Sequence, residues 1–556
     1  MTADHDADTE ETRVDWYEWG PRPFAVADRT GKPVVVFLTA TWCDDCHEMA
    51  VETFGEPRIA ANVNDGFVPI RVDVDRRPRV RERYNVGGFP STVFCTPEGE
   101  LMTGATYLGP DGFRGILDRV RETWDAEGTD AGRVPRALAG ADTPAGELHR
   151  GIARHFAGQL DEQWDPEFAG WGTAAKFPLP ETIQFALKRD RVKATQTLDA
   201  IRQSLEAPDG GFYRYAGARD WSDPHRERLL VDNAGLLRAF AHGYLYTGDE
   251  SYRETATDAA AFLRSELRVG DGFGGSLGPS GDRRDLTAYA DGNALAAEAL
   301  LWLAAYTDDE TVRQDARGAL RLLRSRLVDT ETGRVVHFEP DGEGEADVTG
   351  HDSEADTTGP DSEGDDDTAT HPADILDDAA RVVSAFTAAA QVLGEGTSLA
   401  RTVADRVIDR LGDEAGFRDG PATGAGLLDE PLRPIDGTVA LADGLLDLAV
   451  LTGEERYHER AERALGAFAG ATDRMGAQVA GYGAAVDRCL GEPLVVAVGD
   501  AVGSDLHRAA LRIADHEKVV VPEATDAPEG TAVVRGSDAT PAETPSELMD
   551  VVAETQ

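Results

Sequence analysis

The chain has 556 residues, more than a single hydrophobic core usually accommodates, so its length predicts several domains. It contains 102 Asp and Glu residues against 55 Lys and Arg residues, a formal net charge of −47 at pH 7. This excess of negative charge repels phosphate groups and anionic lipids, which argues against nucleic acids and membrane surfaces as partners. We interpret the acidity as a halophilic adaptation to concentrated salt and not as a binding site.

The start of the chain and its cysteines indicate where the protein acts. The first residues lack the basic end and apolar stretch of a secretory signal, and no apolar run is long enough to cross a bilayer, so we expect a cytoplasmic protein. Four cysteines are too few for a disulfide framework, and the close pair Cys43 and Cys46 indicates redox or metal chemistry. We predict no metal site, because this pair offers too few soft ligands for zinc, and no cofactor.

In chain order, the first elements predict a small α/β unit. Residues 1–13 are acidic and nearly free of apolar side chains, which predicts a disordered tail. Short runs rich in β-branched and aromatic residues predict buried strands, and helical spacing predicts two helices. The strands are expected at residues 33–38, 67–74 and 91–95, and the helices at residues 45–62 and 113–124.

The cysteine pair lies between a predicted strand and a predicted helix. At a helix N-terminus the dipole favours the thiolate of Cys43, which can attack a disulfide while Cys46 resolves the mixed disulfide. Pro90 precedes a predicted strand, where thioredoxin-like folds place a cis proline opposite the cysteine pair. We therefore predict a thioredoxin-like domain over residues 14–128, followed by a linker at 129–144.

Neighbours of the pair leave its chemistry open. His47 could tune the thiolate or bind a metal, or it could simply face the solvent. Asp44 and Asp45 place negative charge beside Cys43, which disfavours the thiolate. Cys95 lies inside a predicted strand and is expected to be a small core residue.

From about residue 145 the pattern changes to long helical segments rich in Ala, Leu and Arg. Glycine turns recur between pairs of these segments at intervals of about 60 residues, apart from one longer interval. The longer interval contains residues 341–370, a polar acidic tract that predicts a disordered insertion. Helical hairpins at a fixed period that close on themselves form an α/α toroid, which we assign to residues 145–490. Residues 491–556 predict a small β-α-β segment whose role is not indicated.

Several long motifs resemble the YyaL-type proteins, the family that includes the spermatogenesis-associated thioredoxin-like proteins of animals. The matching segments are residues 14–20, 43–49, 67–84, 172–178 and 209–234. The resemblance implies a thioredoxin-like domain fused to a six-hairpin, glycosidase-like (α/α)6 toroid, and it implies no established reaction. The chain departs from the family at Asp44 and Asp45, where the family has His-Trp.

By analogy with sugar hydrolases and epimerases of this fold, a toroid collects carboxylates and histidines at one end of its funnel. In an acidic chain any loop holds carboxylates, so a structural or solvated role remains an alternative for these residues. The candidates are Lys176, Trp221, His225, Glu227, Asp232, Asn233, Asp377, Asp378 and Asp436.

Three functions remain open at this stage. The first is a thiol-disulfide oxidoreductase that uses Cys43 and Cys46 and whose toroid positions the substrate. The second is a sugar hydrolase or epimerase in the toroid, with an accessory thioredoxin domain. The third is a non-catalytic scaffold or chaperone-like protein. The expected partner is accordingly a protein disulfide, or a small-molecule or sugar substrate, and the oligomeric state is not indicated.

Overall fold

The structure is a computed structural model that describes residues 12–136, 138, 143–339 and 372–555. The predicted acidic insertion at 341–370 and residues 1–11 of the predicted tail lie outside the described residues. At the start of the described chain, the amide of Arg13 donates to the carbonyl of Phe54 at 3.1 Å. Within the described ranges, no helix combines the length and apolar character needed to cross a bilayer.

The first domain is built on a five-stranded sheet. Its strands are β1 Tyr17–Glu18, β2 Val34–Thr39, β3 Val68–Asp73, β4 Ser91–Cys95 and β5 Leu101–Ala105. Their order is β1-β3-β2-β4-β5. Strands β1, β3 and β2 are parallel to one another, β4 is antiparallel to β2, and β5 is antiparallel to β4. Strand β2 is buried throughout because its Val, Phe and Leu side chains suit the middle of a sheet covered on both faces. The predicted thioredoxin fold is confirmed.

The helices of this domain correct one sequence prediction. They are α1 Pro21–Thr30, α2 Asp44–Glu52, α3 Pro57–Gly66, α4 Pro78–Tyr84 and α5 Pro110–Glu127. The single helix predicted over residues 45–62 was wrong, because the chain breaks between α2 and α3. Pro57 has no amide hydrogen and cannot continue a helix, whereas it suits a first turn. Glu56 caps the new helix by accepting from the amides of Arg58 and Ile59.

The second domain contains twelve helices in its described residues, arranged as six hairpins. Six inner helices form a closed ring, α7-α9-α11-α13-α15-α17, in which α17 packs back against α7. Each of α8, α10, α12, α14 and α16 packs outside the inner helix that precedes it, and α6 packs on α17. The bounds are α6 Gly151–Glu162, α7 Pro180–Arg189, α8 Arg191–Leu205, α9 Leu230–Thr247, α10 Glu250–Glu266, α11 Ala290–Thr307, α12 Glu310–Leu322, α13 Leu376–Leu393, α14 Thr397–Leu411, α15 Ile435–Thr452, α16 Glu455–Gly466 and α17 Ala480–Leu490. The predicted (α/α)6 toroid is confirmed.

The glycine turns of the repeat lie between an outer helix and the next inner helix. Asn233, at the start of α9, accepts from the amide of Phe212 at 2.7 Å and donates to its carbonyl at 3.2 Å. Asn293 repeats this at Phe273, with distances of 2.8 and 2.9 Å. The asparagines therefore anchor successive turns to the inner ring. Short strands in these loops are β6 Tyr215–Ala216, β7 Pro224–His225, β8 Arg228–Leu229, β9 Arg268–Val269, β10 Gly272–Phe273, β11 Ser276–Leu277, β12 Arg284–Asp285, β13 Gly412–Asp413 and β14 Gly416–Phe417.

The last segment covers the end of the toroid at which the inner helices terminate. It consists of β15 Val495–Val498, α18 Asp505–Leu511, β16 Val519–Val521, β17 Ala532–Val534 and α19 Pro545–Thr555, with sheet order β16-β15-β17. The predicted β-α-β unit is thus extended by one antiparallel strand and one helix. Gln391 of α13 binds this segment, since its side chain accepts from the amide of Val520 at 3.0 Å and its carbonyl lies 2.8 Å from Nε2 of His507.

The first domain packs on the opposite end of the toroid through a buried polar contact. Arg83 of α4 makes two hydrogen bonds to the carboxylate of Asp419, and its Nε donates to the carbonyl of Leu427 at 2.7 Å. Gly99 and Gly426 meet so closely that a Cβ on Gly99, where φ is +86°, would lie 2.5 Å from the Cα of Gly426. The two domains are therefore fitted together by backbone contact as well as by charge.

Candidate functional sites

The cysteine pair lies where β2 turns into α2. Cys43 is the N-cap of α2, its Sγ accepts from the amide of Cys46 at 3.2 Å, and the two residues form a disulfide. Cys43 is 6% exposed and Cys46 is fully buried. The peptide bond before Pro90 is cis, and the Phe89 ring packs edge-on against the indole of Trp42 with centroids 5.6 Å apart. The cysteine loop and the proline loop are therefore packed together.

His47 is buried, with 4% exposure, so it does not face the solvent as one alternative had it. Its Nε2 lies 3.1 Å from the carbonyl oxygen of Thr41. Cys95 is a buried free cysteine inside β4, and burial raises the pKa of its thiol. Of the described cysteines, only the pair at the start of α2 is placed for exchange chemistry.

Loops of the toroid cover the cysteine site. The guanidinium of Arg214 lies 4.4 Å from the centre of the Trp42 ring, and Arg283 donates to the carboxylate of Asp44 at 3.1 Å. The cysteine loop therefore contacts loops of the toroid at the junction of the two domains.

His225 and Glu227 lie beside this junction and outside the axis of the toroid. The His225 imidazole is half-exposed and stacks on Tyr215 with ring centroids 4.0 Å apart. Its Nδ1 is 3.8 Å from the buried carboxylate of Glu227, which also accepts from Arg214 at 3.4 Å. Since Arg214 also covers Trp42, these two predicted residues belong to the surroundings of the cysteine pair.

Three other predicted residues support loops. The Lys176 ammonium is fully buried and donates to Asp165 at 3.0 Å and to two backbone carbonyls, and burial lowers its pKa. Trp221 is 3% exposed, and its indole donates to the carbonyl of Phe168 at 2.9 Å. Asn233 anchors the glycine turn at Phe212. All three therefore pack within loops, and none of them lines either of the two cavities described below.

A cavity of about 390 Å³ lies along the axis of the toroid. Glu181 and Asp436, at the starts of α7 and α15, are exposed, whereas Arg238 and His242 are only 6% and 3% exposed. The cavity therefore opens at the N-terminal ends of the inner helices. Of the predicted residues, Asp232 and Asp436 line it.

The cavity contains ion pairs that the sequence analysis missed. Arg238 donates to Glu298 at 2.8 Å and to Glu181 at 2.6 Å. Arg488 donates to Asp443 at 2.7 Å and to Asp447 at 2.5 Å. These residues project from the inner helices, of which α9, α11 and α15 are rich in apolar residues. A charge within an apolar stretch, as at Arg238, Glu298 and Asp443, was the signal that could have identified them, because a buried charge requires a partner or a ligand.

Several carboxyl groups of the cavity have pKa values that differ from those of exposed carboxyl groups. Burial raises the pKa of Asp443 to about 6, although Arg488 opposes the shift, and burial raises the pKa of Asp232 to about 6. Loss of hydration within the cavity would raise the pKa of Glu181, but the attractions to Arg238 and Arg381 together outweigh it and lower that pKa. The cavity thus holds carboxyl groups that can exchange protons near neutral pH.

The C-terminal segment closes the inner end of this cavity. Its Lys518 is 2% exposed and lies 5.7 Å from the ring centres of both Trp302 and Tyr306 on α11. Burial lowers the pKa of Lys518 to about 7 and that of its neighbour His516 to about 4. The segment, whose role was not indicated by sequence, therefore contributes basic groups to the cavity.

Asp377 and Asp378 lie in a second, smaller cavity of about 90 Å³ between the two domains. Asp75 and Arg81 of the first domain and His337 of the toroid also line it. Asp75 accepts from the indole of Trp42 at 2.7 Å, so this cavity and the cysteine site share a wall.

Comparison with known proteins agrees with this architecture. Residues 6–139 match the model of the thioredoxin-like DsbH family, described as a protein of unknown function, DUF255. The first domain is therefore similar to this thioredoxin-like family. Human spermatogenesis-associated protein 20 is 30% identical over 292 residues, which cover 46% of this chain and 37% of that protein. The resemblance to spermatogenesis-associated proteins is confirmed, while the aligned part spans well under half of the relative's length.

Two further similarities concern the separate domains. The thiol:disulfide interchange protein DsbD of Cronobacter sakazakii is 32% identical over 89 residues, 15% of this chain and 15% of that protein. A sugar epimerase from a ruminal bacterium superimposes with a TM-score of 0.45 and 12% identity over 56% of this chain and 84% of the epimerase. By its own helix packing and sheet order, the chain is a thioredoxin-like domain, with its Cys43 and Cys46 pair, fused to a helical toroid.

Proposed function

We propose that the protein is a thiol-disulfide oxidoreductase whose reacting groups are Cys43 and Cys46. The supporting observation is the Cys43–Cys46 disulfide at the N-terminus of α2, with Cys43 the more exposed of the two. In the reduced protein the Cys43 thiolate attacks a substrate disulfide and releases one substrate thiol. Cys46 then attacks Cys43, which releases the second thiol and leaves the protein disulfide.

The covered position of the pair favours a small disulfide over a folded protein as substrate. Arg214 lies over Trp42 and Arg283 is bound to Asp44, so both sides of the cysteine loop contact the toroid. A large partner would have to displace these contacts, whereas a small molecule could enter between the domains. His225 and Glu227, which lie beside Arg214, would then line the path of the small molecule.

The experiment is reduction of a small aromatic disulfide and of insulin by the reduced full-length protein. We expect the reduced protein to release two equivalents of aromatic thiol from the small disulfide, Cys43→Ser to release none, and Cys46→Ser to release one and stop at the mixed disulfide, with little reduction of insulin in any case. Cys95→Ser is the matched control, because that thiol is buried in β4 and should not react. Equal rates for the parent and Cys43→Ser would refute the proposal.

A second candidate function, a sugar hydrolase or epimerase, is favoured by the axial cavity. Its volume of about 390 Å³ falls within the range that small-molecule sites occupy, and its walls combine arginines with carboxyl groups. Asp443 and Asp232, each with a pKa of about 6, could give and take protons at a sugar.

The second candidate is tested with a sugar panel by calorimetry and by product analysis. Asp443→Asn and Arg488→Met should abolish binding, since they remove partners that point into the cavity. His225→Ala lies outside the cavity and should leave sugar binding unchanged, as should Cys43→Ser. If every variant equals the parent in the disulfide and sugar assays, both enzymatic functions fail and the scaffold interpretation replaces them.

A further inference from the structure

Three side chains that could bind a metal ion meet where the two domains join. Asp291 is the second residue of α11, Asp378 is the third residue of α13, and His337 lies on the segment after α12. One potential ligand atom from each lies within 4.8 Å of the others. His337 and Asp378 are 3% and 1% exposed, and the adjoining cavity of about 90 Å³ has room for an ion and a few water molecules.

The first domain sets the orientation of the His337 ring. Nε2 lies 2.7 Å from the backbone oxygen of Asp75, which can only accept, so Nε2 is the nitrogen that bears a hydrogen. Nδ1 therefore faces Asp378, whose two oxygens lie 2.9 and 3.1 Å away. A carboxylate and an imidazole lone pair repel each other, so a proton or a cation must lie between them. Histidines that bind metals are commonly held in this way, by a carbonyl at the other nitrogen.

The charges around the cavity favour a cation over a proton. Four carboxylates border it, against one guanidinium from Arg81 and one imidazole from His337. A proton on the imidazole would offset a single carboxylate, whereas a divalent cation offsets two. The carboxylates are those of Asp75, Asp291, Asp377 and Asp378.

We propose that Asp291, His337 and Asp378 bind one divalent transition-metal ion, of the class of Zn²⁺ or Mn²⁺. One imidazole nitrogen and two carboxylate oxygens suit such ions, and water in the cavity completes the coordination. The three ligands come from separate segments of the chain, so no spacing motif marks them, and the sequence analysis predicted no metal site. Because His337 also binds the backbone of Asp75, an ion at this position would fasten the two domains together.

The test is metal stoichiometry of the full-length protein after chelator treatment. The background is Cys43→Ser with Cys46→Ser, which removes the thiolates as competing ligands. The protein is dialysed against Zn²⁺ or Mn²⁺ in multimolar KCl with excess Mg²⁺, so that weak binding to the acidic surface is suppressed. We expect one equivalent of metal, and at least a tenfold loss of affinity in His337→Gln and in Asp291→Asn.

Asp436→Asn is the matched control, because Asp436 is the second residue of α15, as Asp291 is of α11, and lies in the other cavity. It should retain one equivalent. With Co²⁺ as probe, the visible absorption of an imidazole-bound ion should appear in the parent and vanish in His337→Gln. If His337→Gln does not fold, the metal affinity of Asp291→Asn decides the test, because Asp291 is less buried than His337. Absence of a tightly held ion in the parent, or equal binding in all folded variants, overturns the proposal.

Discussion

Arg83 of the thioredoxin-like domain and Asp419 of the toroid form a buried ion pair with two hydrogen bonds, of 2.7 and 3.1 Å. Removing one partner of such a pair leaves an unpaired buried charge, which typically costs about 3–5 kcal/mol. We expect Asp419→Asn to lower the stability by this amount and to separate the unfolding of the two domains. Differential scanning calorimetry measures both effects. Asp413→Asn is the control, since its pair with Arg433 is partly exposed; an equal effect there would contradict the prediction.

Cys43 and Cys46 should differ in reactivity. Cys43 is 6% exposed and Cys46 is not exposed, so limiting iodoacetamide should label Cys43 first in the reduced protein. Arg214 covers the neighbouring Trp42, so Arg214→Ala should increase the labelling rate several-fold. Arg226→Ala, an exposed residue of the same loop region, should not. Peptide mapping by mass spectrometry gives the rates, and preferential labelling of Cys46 would count against this arrangement.

Lys518 should make stability depend on alkaline pH. Burial lowers its folded-state pKa from the ordinary 10.5 to about 7, so between these values the folded protein binds fewer protons than the unfolded chain. The contribution of Lys518 to the free energy of unfolding therefore increases as the pH rises from 7 to 10.5. Lys518→Met should remove an increase on the order of 5 kcal/mol across this window, measured by denaturant unfolding at constant salt. Lys32→Met serves as the control. If the free energy of unfolding changed with pH in the same way in Lys518→Met and in Lys32→Met, the predicted contribution of Lys518 would be excluded.

The folded state should require salt. At a net charge of −47 the chain repels itself, and counterions screen this repulsion over a distance that shrinks as salt rises. We expect the melting temperature to rise markedly between low and multimolar KCl. A melting temperature that does not depend on the KCl concentration would contradict the halophilic interpretation.

Much of the fold could be predicted from the sequence, because its elements follow local periodicity. The strand at Ser91–Cys95 matches its predicted range, and the strand at Val34–Thr39 is offset from its predicted range by one residue. The break at Pro57 was missed, although a proline preceded by a capping Glu56 is a local signal.

The candidate sites were harder to predict, because the direction of a side chain depends on the closed ring. Asp443 and Asp447 are two among 102 acidic residues, and only the packing of α15 against α17 turns them towards Arg488. The same holds for Lys518, because the strand that follows it, β16, lies against the ring only in the folded protein. His225 and Glu227 were selected for the toroid but lie beside Arg214 at the domain junction.

The pairing of α6 with α17 has a consequence for synthesis of the protein. The inner ring is completed by its last helix, Ala480–Leu490, and the hairpin partner of that helix is the first one, Gly151–Glu162. On the ribosome, α6 must wait until more than three hundred further residues have emerged before its partner is available. The five-stranded domain can fold early, whereas the unfinished ring leaves apolar helix faces uncovered during elongation. Chaperone dependence in the cell should therefore originate in the toroid.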